Sequence, residues 1–565
     1  MNHLKTIIFS VAFVLWLIPQ ISLAQQSRRF VAEWEPAWGT LIRWPLGIPS
    51  DLVVELATDD SLYVLVANQT QKTQAINTFS SWSVNLDHCQ FIIAPTNSHW
   101  TRDWGPHYVF NENGVGGIAD PYFSGYPWVP GCNPKSALDL EVDYERHIYG
   151  GYALDNAVNA TLAENFNCPL ISLPIFLTGG NVMVDGFKTA VATQQMLDEN
   201  FPGFNEEQFR QMAADSLGIS NFIIVDNPEV HGIQHIDCYA KFLDEETILV
   251  KKVPLFHPEF ACCEALANHL GNETNAFGEP YEIVRVFCAN YSGNNSAAYT
   301  NSFILNKKVL VPLFNIPEDE QALQVYEEAM PSYEVIGFSW GSWYYYDALH
   351  CRTMGIFDRY MLRIEHKPLK GDQIFAGLPV IKTRIHAYSD AGLINEGLKL
   401  YWREQGNFGW QQQPLVPVEG TDSLMAIIPG AEVSKIYNYF ISASDSSGRN
   451  ETHPITAPFA YHTFTYADNT TGIHKTELAA ELIISPNPFT EITQIIFYNS
   501  DSSGRLTIWT ADGKKVREWN NLPPGENKIN WDGKDNKSND IKSGTFIVVY
   551  SNDKFSVSTK CLLTD

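Results

Sequence analysis

The sequence predicts an α/β domain followed by two all-β domains, and three observations carry that reading. Between about residues 27 and 375, short apolar runs alternate with amphipathic stretches, as they do where strands and helices take turns along a chain. From 378 to 465 helical periodicity nearly vanishes, and short strand patterns bounded by turn residues replace it. From 482 onward the pattern is again all β, with turn signals at Ser502-Ser503-Gly504, Asp512-Gly513, Pro523-Pro524-Gly525 and Asp532-Gly533. With 565 residues, 45% of them hydrophobic, the chain is long enough for two to four cores at roughly 100 to 200 residues per domain.

The chain opens on an export signal. Lys5 supplies a positive start, residues 7–18 are almost wholly apolar, and Ser22-Leu23-Ala24 ends in small residues. An apolar core of about 12 residues falls short of the ~20 that span a bilayer. Residues 1–24 therefore read as a cleaved signal peptide, which implies export and no transmembrane segment in the mature protein. The α/β domain follows at 25–375. Its strand candidates are 62–66, 91–94, 222–225, 281–287, 303–305 with 309–314, and 333–338; its helix candidates are 153–166, 206–217, 258–270 and 317–330. The last helix opens with Pro317 and acidic residues, both suited to a helix N-terminus. Periodicity alone reveals no internal repeat. Residues 376–467 read as a β-sandwich with strands at 380–387, 398–402, 423–428 and 436–444. A polar linker covers 468–481, and a small all-β domain fills 482–565.

Charge and cysteine content narrow the function. The 64 acidic residues exceed the 38 basic ones and leave a formal charge of −26, which argues against a nucleic-acid partner because phosphate neutralisation needs a basic surface. The nine cysteines stand at 89, 132, 168, 238, 262, 263, 288, 351 and 561. In an exported protein an odd count suggests one thiol outside a bridge, and spacing does not fix the pairing of the rest. The chain has no metal-ligand spacing such as HExxH and no Gly-rich phosphate loop, so neither a metal nor a cofactor is expected. The acid-rich run 532–540 lacks EF-hand spacing and reads as a solvated turn.

Three segments put reactive side chains at the ends of apolar runs: Trp100-Thr101-Arg102-Asp103-Trp104-Gly105-Pro106, His235-Ile236-Asp237-Cys238 and Leu349-His350-Cys351-Arg352-Thr353. A Cys thiolate attacks electrophilic carbon, a His moves protons, and paired carboxylates hold a planar cation. Read as a strand, His235 and Asp237 project to one face and meet the same ligand. A guanidinium is planar and carries five donors, so two carboxylates suit it. The set points to chemistry on an arginine-type carbon.

The Trp-x-Arg-Asp-x-Gly-Pro motif, Gly179-Gly180-Asn181 with Asp185-Gly186, His235-x-Asp237, Tyr299-Thr300-Asn301-Ser302 and His350-Cys351-x-Thr353 occur in the order that resembles the bacterial peptidylarginine deiminase and agmatine deiminase family. The resemblance spans about 33–357. It implies a pentein-like α/β propeller of five ββαβ-type modules and hydrolytic deimination of arginine side chains in peptides to citrulline, without a cofactor. It also implies roles. Cys351 is the nucleophile, His235 the proton carrier, Asp103 and Asp237 the guanidinium ligands, Asn301 a positioning group and Trp100 a wall against the arginine stem. Thr178 stands where agmatine deiminases usually carry Glu, which lowers the odds of agmatine. Arg146 offers one half of the Arg pair that holds a C-terminal carboxylate, so preference for C-terminal or internal arginine stays open, as does a small guanidino substrate. A secreted cysteine peptidase and an inactive surface-binding protein are the readings from other classes. The appended domains look most like those of secreted bacterial peptidylarginine deiminases, the sandwich being immunoglobulin-like. Ser485-Pro486-Asn487-Pro488-Phe489, Ala511-Asp512-Gly513-Lys514-Lys515, Trp531-Asp532-Gly533 and Ser543-Gly544-Thr545-Phe546 resemble the type IX secretion sorting domain. That implies the type IX machinery as partner and delivery to the cell surface or medium.

Overall fold

The computed structural model describes residues 28–564 apart from 124, 133–150, 376, 468–481, 500–503, 511–513, 524 and 552–555. The signal segment 1–24, the linker 468–481 and Arg146 lie outside the described residues.

One structural unit recurs along the α/β part. An antiparallel hairpin is followed by a helical crossover and then by a strand parallel to the hairpin's second strand. His107–Phe110 pairs antiparallel with Gly116–Tyr122, which Leu170–Phe176 joins in parallel. Met183–Val184, Thr189–Thr193 and Asn221–Val225 repeat the arrangement. So do Ala240–Phe242, Thr247–Lys252 and Glu282–Phe287, and Phe303–Leu305, Lys308–Leu313 and Glu334–Ser339. A fifth sheet joins the two ends of this part. Met354–Phe357 runs antiparallel to Ala37–Arg43, which runs parallel to Ser61–Val66, with Cys89–Ile93 added at the edge. The middle strands are covered on both faces, so they are apolar without alternation: Ile248, Leu249 and Val250 are all fully buried.

The crossover helices follow from local sequence. Glu206–Leu217 begins in a capping box between Asn205 and Gln208, buries Phe209, Ala213 and Leu217 on one stripe, and ends at Gly218 with φ +76°. A Cβ at Gly218 would lie 1.9 Å from the Arg28 carbonyl oxygen, so only glycine closes this helix. The helix expected over 153–166 is two helices, Ala153–Asn156 and Val158–Phe166. Asn156 holds the backbone of Phe123 with a pair of hydrogen bonds of 2.8 and 3.0 Å, and the break falls beside it.

The all-β layer begins earlier than the composition shift at 376 suggests. Leu362–Glu365 pairs with Val380–Ala387, and Gly371–Gln373 pairs with His462–Tyr466. Leu362 and Ile364 are buried in the same core as Leu400, Tyr439 and Phe464, so the segment after about residue 361 packs with the two β-sheets rather than the α/β part. The α/β part is tied to these sheets by Arg449, which forks onto Asp358 at 2.7 and 2.9 Å, and by His453 against Glu245 at 2.8 Å. Residues 468–565 form a second compact unit. It consists of two antiparallel sheets around Phe489, Trp531, Phe546 and Tyr550.

Cys132 and Cys262 are joined in a disulfide, and the other seven cysteines are free. The odd count thus leaves seven thiols rather than one. Cys238, Cys263 and Cys288 pack as small apolar side chains in a shared core. Among the described residues no helix is long and apolar enough to cross a membrane.

Candidate active site

Each repeat is entered through a tight turn, and these turns carry the reactive residues. The short helix Thr101–Trp104 precedes His107–Phe110, Gly179–Asn181 precedes Met183–Val184, and Ile236–Cys238 precedes Ala240–Phe242. Asn301, whose amide donates to the Ala298 carbonyl at 3.0 Å, precedes Phe303–Leu305, and His350–Arg352 precedes Met354–Phe357. His235 and Asp237 are therefore not on a strand: His235 is extended, and Asp237 lies in the 3₁₀ turn that follows. The turn, rather than strand alternation, brings both to the site.

The turns meet around Gly180. A Cβ there would lie 2.7 Å from Asp103 Oδ1, 2.7 Å from His235 Nδ1 and 3.2 Å from Asp237 Oδ2. The Gly180 amide donates to Asp103 Oδ1 at 3.1 Å, while Tyr126 donates its hydroxyl to Asp103 Oδ2 at 2.6 Å. The Asn301 carboxamide binds the nucleophile turn. Its Oδ1 accepts from the amides of His350 and Cys351 at 3.0 and 3.4 Å, and its Nδ2 donates to Cys351 Sγ at 3.3 Å. Asp237 Oδ2 lies 3.7 Å from the same sulfur. Asn181 Oδ1 accepts from the Ile236 amide at 3.3 Å and so ties the second turn to the third. Trp100 packs edge-on against Tyr126, with centroids 4.8 Å apart. A cavity of about 210 Å³ is lined by Trp100, Asp103, Tyr126, Trp128, Tyr346 and Cys351.

Behind the turns lies a buried charge network that motif reading did not reveal. Glu33 accepts from Lys241 at 2.6 Å, faces His350 Nε2 at 2.5 Å and forms an ion pair with Arg102 at 2.7 Å. His350 Nδ1 faces Asp237 Oδ2 at 2.7 Å, so each ring nitrogen meets a carboxylate oxygen. Burial would raise the Glu33 pKa, but His350, Lys241 and Arg102 together hold it well below the carboxylate range. Tyr126, Lys241 and Glu33 carried no signal in the sequence, because each stands alone among unremarkable neighbours. His350 and Arg102 lay inside quoted motifs without a role.

The two carboxylates differ in proton affinity. Burial, with Asp237 adding to it, raises Asp103 well above the usual range despite the Tyr126 hydrogen bond. Burial acts the same way on Asp237, but the hydrogen bond and charge of His350 outweigh it and its pKa is lowered. Burial lowers His235 to about 4, against the pull of Asp237. At Cys351 a hydrogen bond with Cys238 favours the thiolate, but burial and the nearby Asp237, Asp347 and Asp103 push the thiol up to about 11. Among the described residues, buried His235 Nδ1 and Asp237 Oδ1 have no hydrogen-bond partner. A planar donor cation held between the two carboxylates would satisfy Asp237, favour the ionised form of Asp103 and favour the Cys351 thiolate.

The family model described as Porphyromonas-type peptidyl-arginine deiminase matches residues 29–356, more than half of the chain. An agmatine deiminase of Pseudomonas syringae pv. tomato is 22% identical over 343 residues, covering 54% of this chain and 88% of the relative. A solved Porphyromonas gingivalis structure, provisionally named an arginine deiminase, superposes with a TM-score of 0.50 at 22% identity, covering 59% of this chain and 99% of that one. The agmatine deiminase of Enterococcus faecalis gives a TM-score of 0.50 at 18% identity, covering 59% and 96%.

Proposed function

The chain belongs to the Porphyromonas-type peptidyl-arginine deiminase family, whose members act on guanidino groups, and from that premise we propose that it deiminates arginine side chains in peptides. The observation that carries this reading is that Asp103, His235 and Asp237 converge on Gly180 with Cys351 Sγ 3.7 Å from Asp237, beside a cavity that Asp103 and Cys351 line, and that Asn301 fixes the Cys351 turn.

In this reading the guanidinium enters between Asp103 and Asp237, and its charge draws Cys351 toward the thiolate. The sulfur attacks the guanidinium carbon, and the thiol proton passes through His235 to the departing nitrogen, which leaves as ammonia. His235 then takes a proton from water, which attacks the thiouronium carbon and returns the sulfur as leaving group. The net change is guanidinium plus water to a ureido group plus ammonium. Trp100 packs along the methylene stem, and the water-poor site strengthens each charge contact. Arg146 remains a candidate for reading a C-terminal carboxylate.

Peptide substrates are favoured over agmatine because Thr178 replaces an acid and because the chain carries the features of an exported protein. A small guanidino compound is the second reading, favoured by the names of the matched relatives. The recurring sheets are read as five blades of a propeller, the paired sheets after residue 361 as an immunoglobulin-like domain, and 482–565 as a type IX sorting domain. With the 1–24 signal, these give delivery to the cell surface or medium. Mass spectrometry of a mixture holding internal-Arg, C-terminal-Arg and C-terminal-Arg-amide peptides, free arginine and agmatine tests the proposal. A gain of one mass unit on the peptides without chain cleavage is expected. Cleaved peptides would indicate a peptidase, change in agmatine alone a small-molecule enzyme, and no change at all a binding protein.

A further inference from the structure

We propose that Cys238, Cys351 and Asp237 form a binding site for a soft divalent cation such as zinc, and that the bound ion holds the enzyme in a reversible inhibited state. The two thiol sulfurs and a carboxylate oxygen of Asp237 all lie within 4.8 Å of one another. Cys351 Sγ is 3.7 Å from Asp237 Oδ2. Ideal Zn–S and Zn–O bonds at a tetrahedral angle place such donors about 3.6 Å apart, so the ion needs little rearrangement. Two sulfurs with one carboxylate make a donor set that selects zinc, cadmium or cobalt over calcium or magnesium.

Cys238 forms no covalent bond in the deimination steps, and its thiol hydrogen-bonds Cys351. It is buried at the end of the turn that carries Asp237, and the hydrogen bond it receives comes from Asn301 Nδ2 at 3.6 Å, the same group that donates to Cys351. A bound ion would replace these weak N–H···S contacts with metal–sulfur bonds. Asp237 Oδ1, buried without a partner, supplies a second donor atom on the same carboxylate. Cys351 lines the cavity, which gives the ion an entry path and leaves its fourth position to water. Binding releases the thiol protons to solvent, as thiolate coordination requires.

The consequence follows from what the ion occupies. It takes the sulfur and one of the two carboxylates that the guanidinium needs, so cation and substrate compete. The ligand set stands on geometry alone; only its inhibitory effect rests on Cys351 as nucleophile. Cobalt(II) is the probe that separates the two. Full-length protein is expected to bind one Co²⁺ with a near-ultraviolet thiolate-to-cobalt absorption that added Zn²⁺ abolishes. Cys238→Ala and Cys351→Ala are each expected to lose that absorption. Cys238→Ala loses the hydrogen bond that favours the Cys351 thiolate and is expected to turn over more slowly than wild type, but relative to its own metal-free rate its Zn²⁺ inhibition should weaken by about tenfold or more. Arginine substrate should raise the Zn²⁺ concentration needed for inhibition. Absorption that persists in both variants, or equal zinc inhibition of wild type and Cys238→Ala, would overturn the site. Absence of deimination in every protein would instead count against the proposed function, and the cobalt spectra would still decide the ligand set.

Discussion

Gly180 shows how a residue with no reactive atom is fixed by chemistry. Its φ is not in the left-handed region, so alanine meets no backbone strain there; what forbids it is the crowding of Asp103, His235 and Asp237 within about 3 Å of the missing Cβ. Gly180→Ala is expected to leave the melting transition nearly unchanged but to lower kcat/KM by about 100-fold, since displacing reacting groups by ~1 Å costs that much. Near-wild-type turnover of a folded Gly180→Ala protein would place the chemistry elsewhere. The proton affinities make a second prediction. In the free enzyme Cys351 is a thiol until about pH 11 and Asp103 is raised in the same sense, so kcat/KM rises as pH increases above neutral. A bound guanidinium favours the thiolate and the carboxylate, so the rising limb of kcat lies at lower pH. His235, held near 4, adds no limb between about pH 5 and 8. Superimposable kcat and kcat/KM profiles would contradict this. Side-chain chemistry singled out Cys351, His235, Asp103 and Asp237 in the sequence and the family resemblance added Asn301; the structure brings the five together at the turns. Glu33 was not legible: its partner His350 is 317 positions away, and an acid that acts through distant cations looks like any other acid.

At the level of elements, periodicity showed most strands and helices, whereas a repeated unit was expected from the family resemblance alone. The helix over 206–217 was readable to the residue, because its capping box and terminal glycine are local signals. The repeat was hidden because its hairpin strands vary from two to seven residues, and apolar runs covered on both faces have no period to compare. What recurs is geometric: a tight turn ahead of each hairpin, with the reactive residue in or beside it. The Tyr126 and Trp128 wall depends on another element. It leads into Val129–Pro130 and then to Cys132, which is bonded to Cys262 in the helix Phe260–Asn272 across 130 positions. Such a long loop makes the bridge worth about 2 to 5 kcal/mol. Cys132→Ser is expected to lose that much stability in chemical denaturation and to raise KM by loosening the aromatic wall, and reduction of the wild type should reproduce both effects. If oxidised and reduced protein unfold at the same denaturant concentration, the bridge contributes nothing and the wall is held otherwise.

On the scale of the whole molecule, the switch from helical to strand periodicity signalled separate layers but misplaced their seam. Leu362–Glu365 lies where the sequence still reads as α/β, yet its side chains complete the core of the paired sheets, and Arg363 reaches back to Glu35 at 3.0 Å. Glu35 is buried and also takes Arg29 at 2.8 Å, so the two layers share one charge cluster. Removing the sheets would uncover Leu362 and Ile364 and strip Phe110 of Tyr388, whose ring stacks on it at 3.8 Å. It would also leave Glu245 without His453 and Asp358 without Arg449. By contrast, residues 468–565 hold their own core around Trp531. Two truncations separate these cases. A chain ending at Ala467 is expected to fold and to keep kcat/KM within about twofold, as a compact unit with its own core should. A chain ending at Phe375 is expected to aggregate or to melt far earlier, because its last strands lose every partner, Glu245 loses its hydrogen bond to His453, and Asp358 loses its cation Arg449, a broken buried pair costing roughly 3 to 5 kcal/mol. Equal stability and activity of the two truncated proteins would mean that the paired sheets are mere cargo. The geometry argues that they brace the catalytic layer, because Arg29 and Arg363 of the shared Glu35 cluster both donate to the Gly186 carbonyl, in the turn that joins Met183–Val184 to Thr189–Thr193.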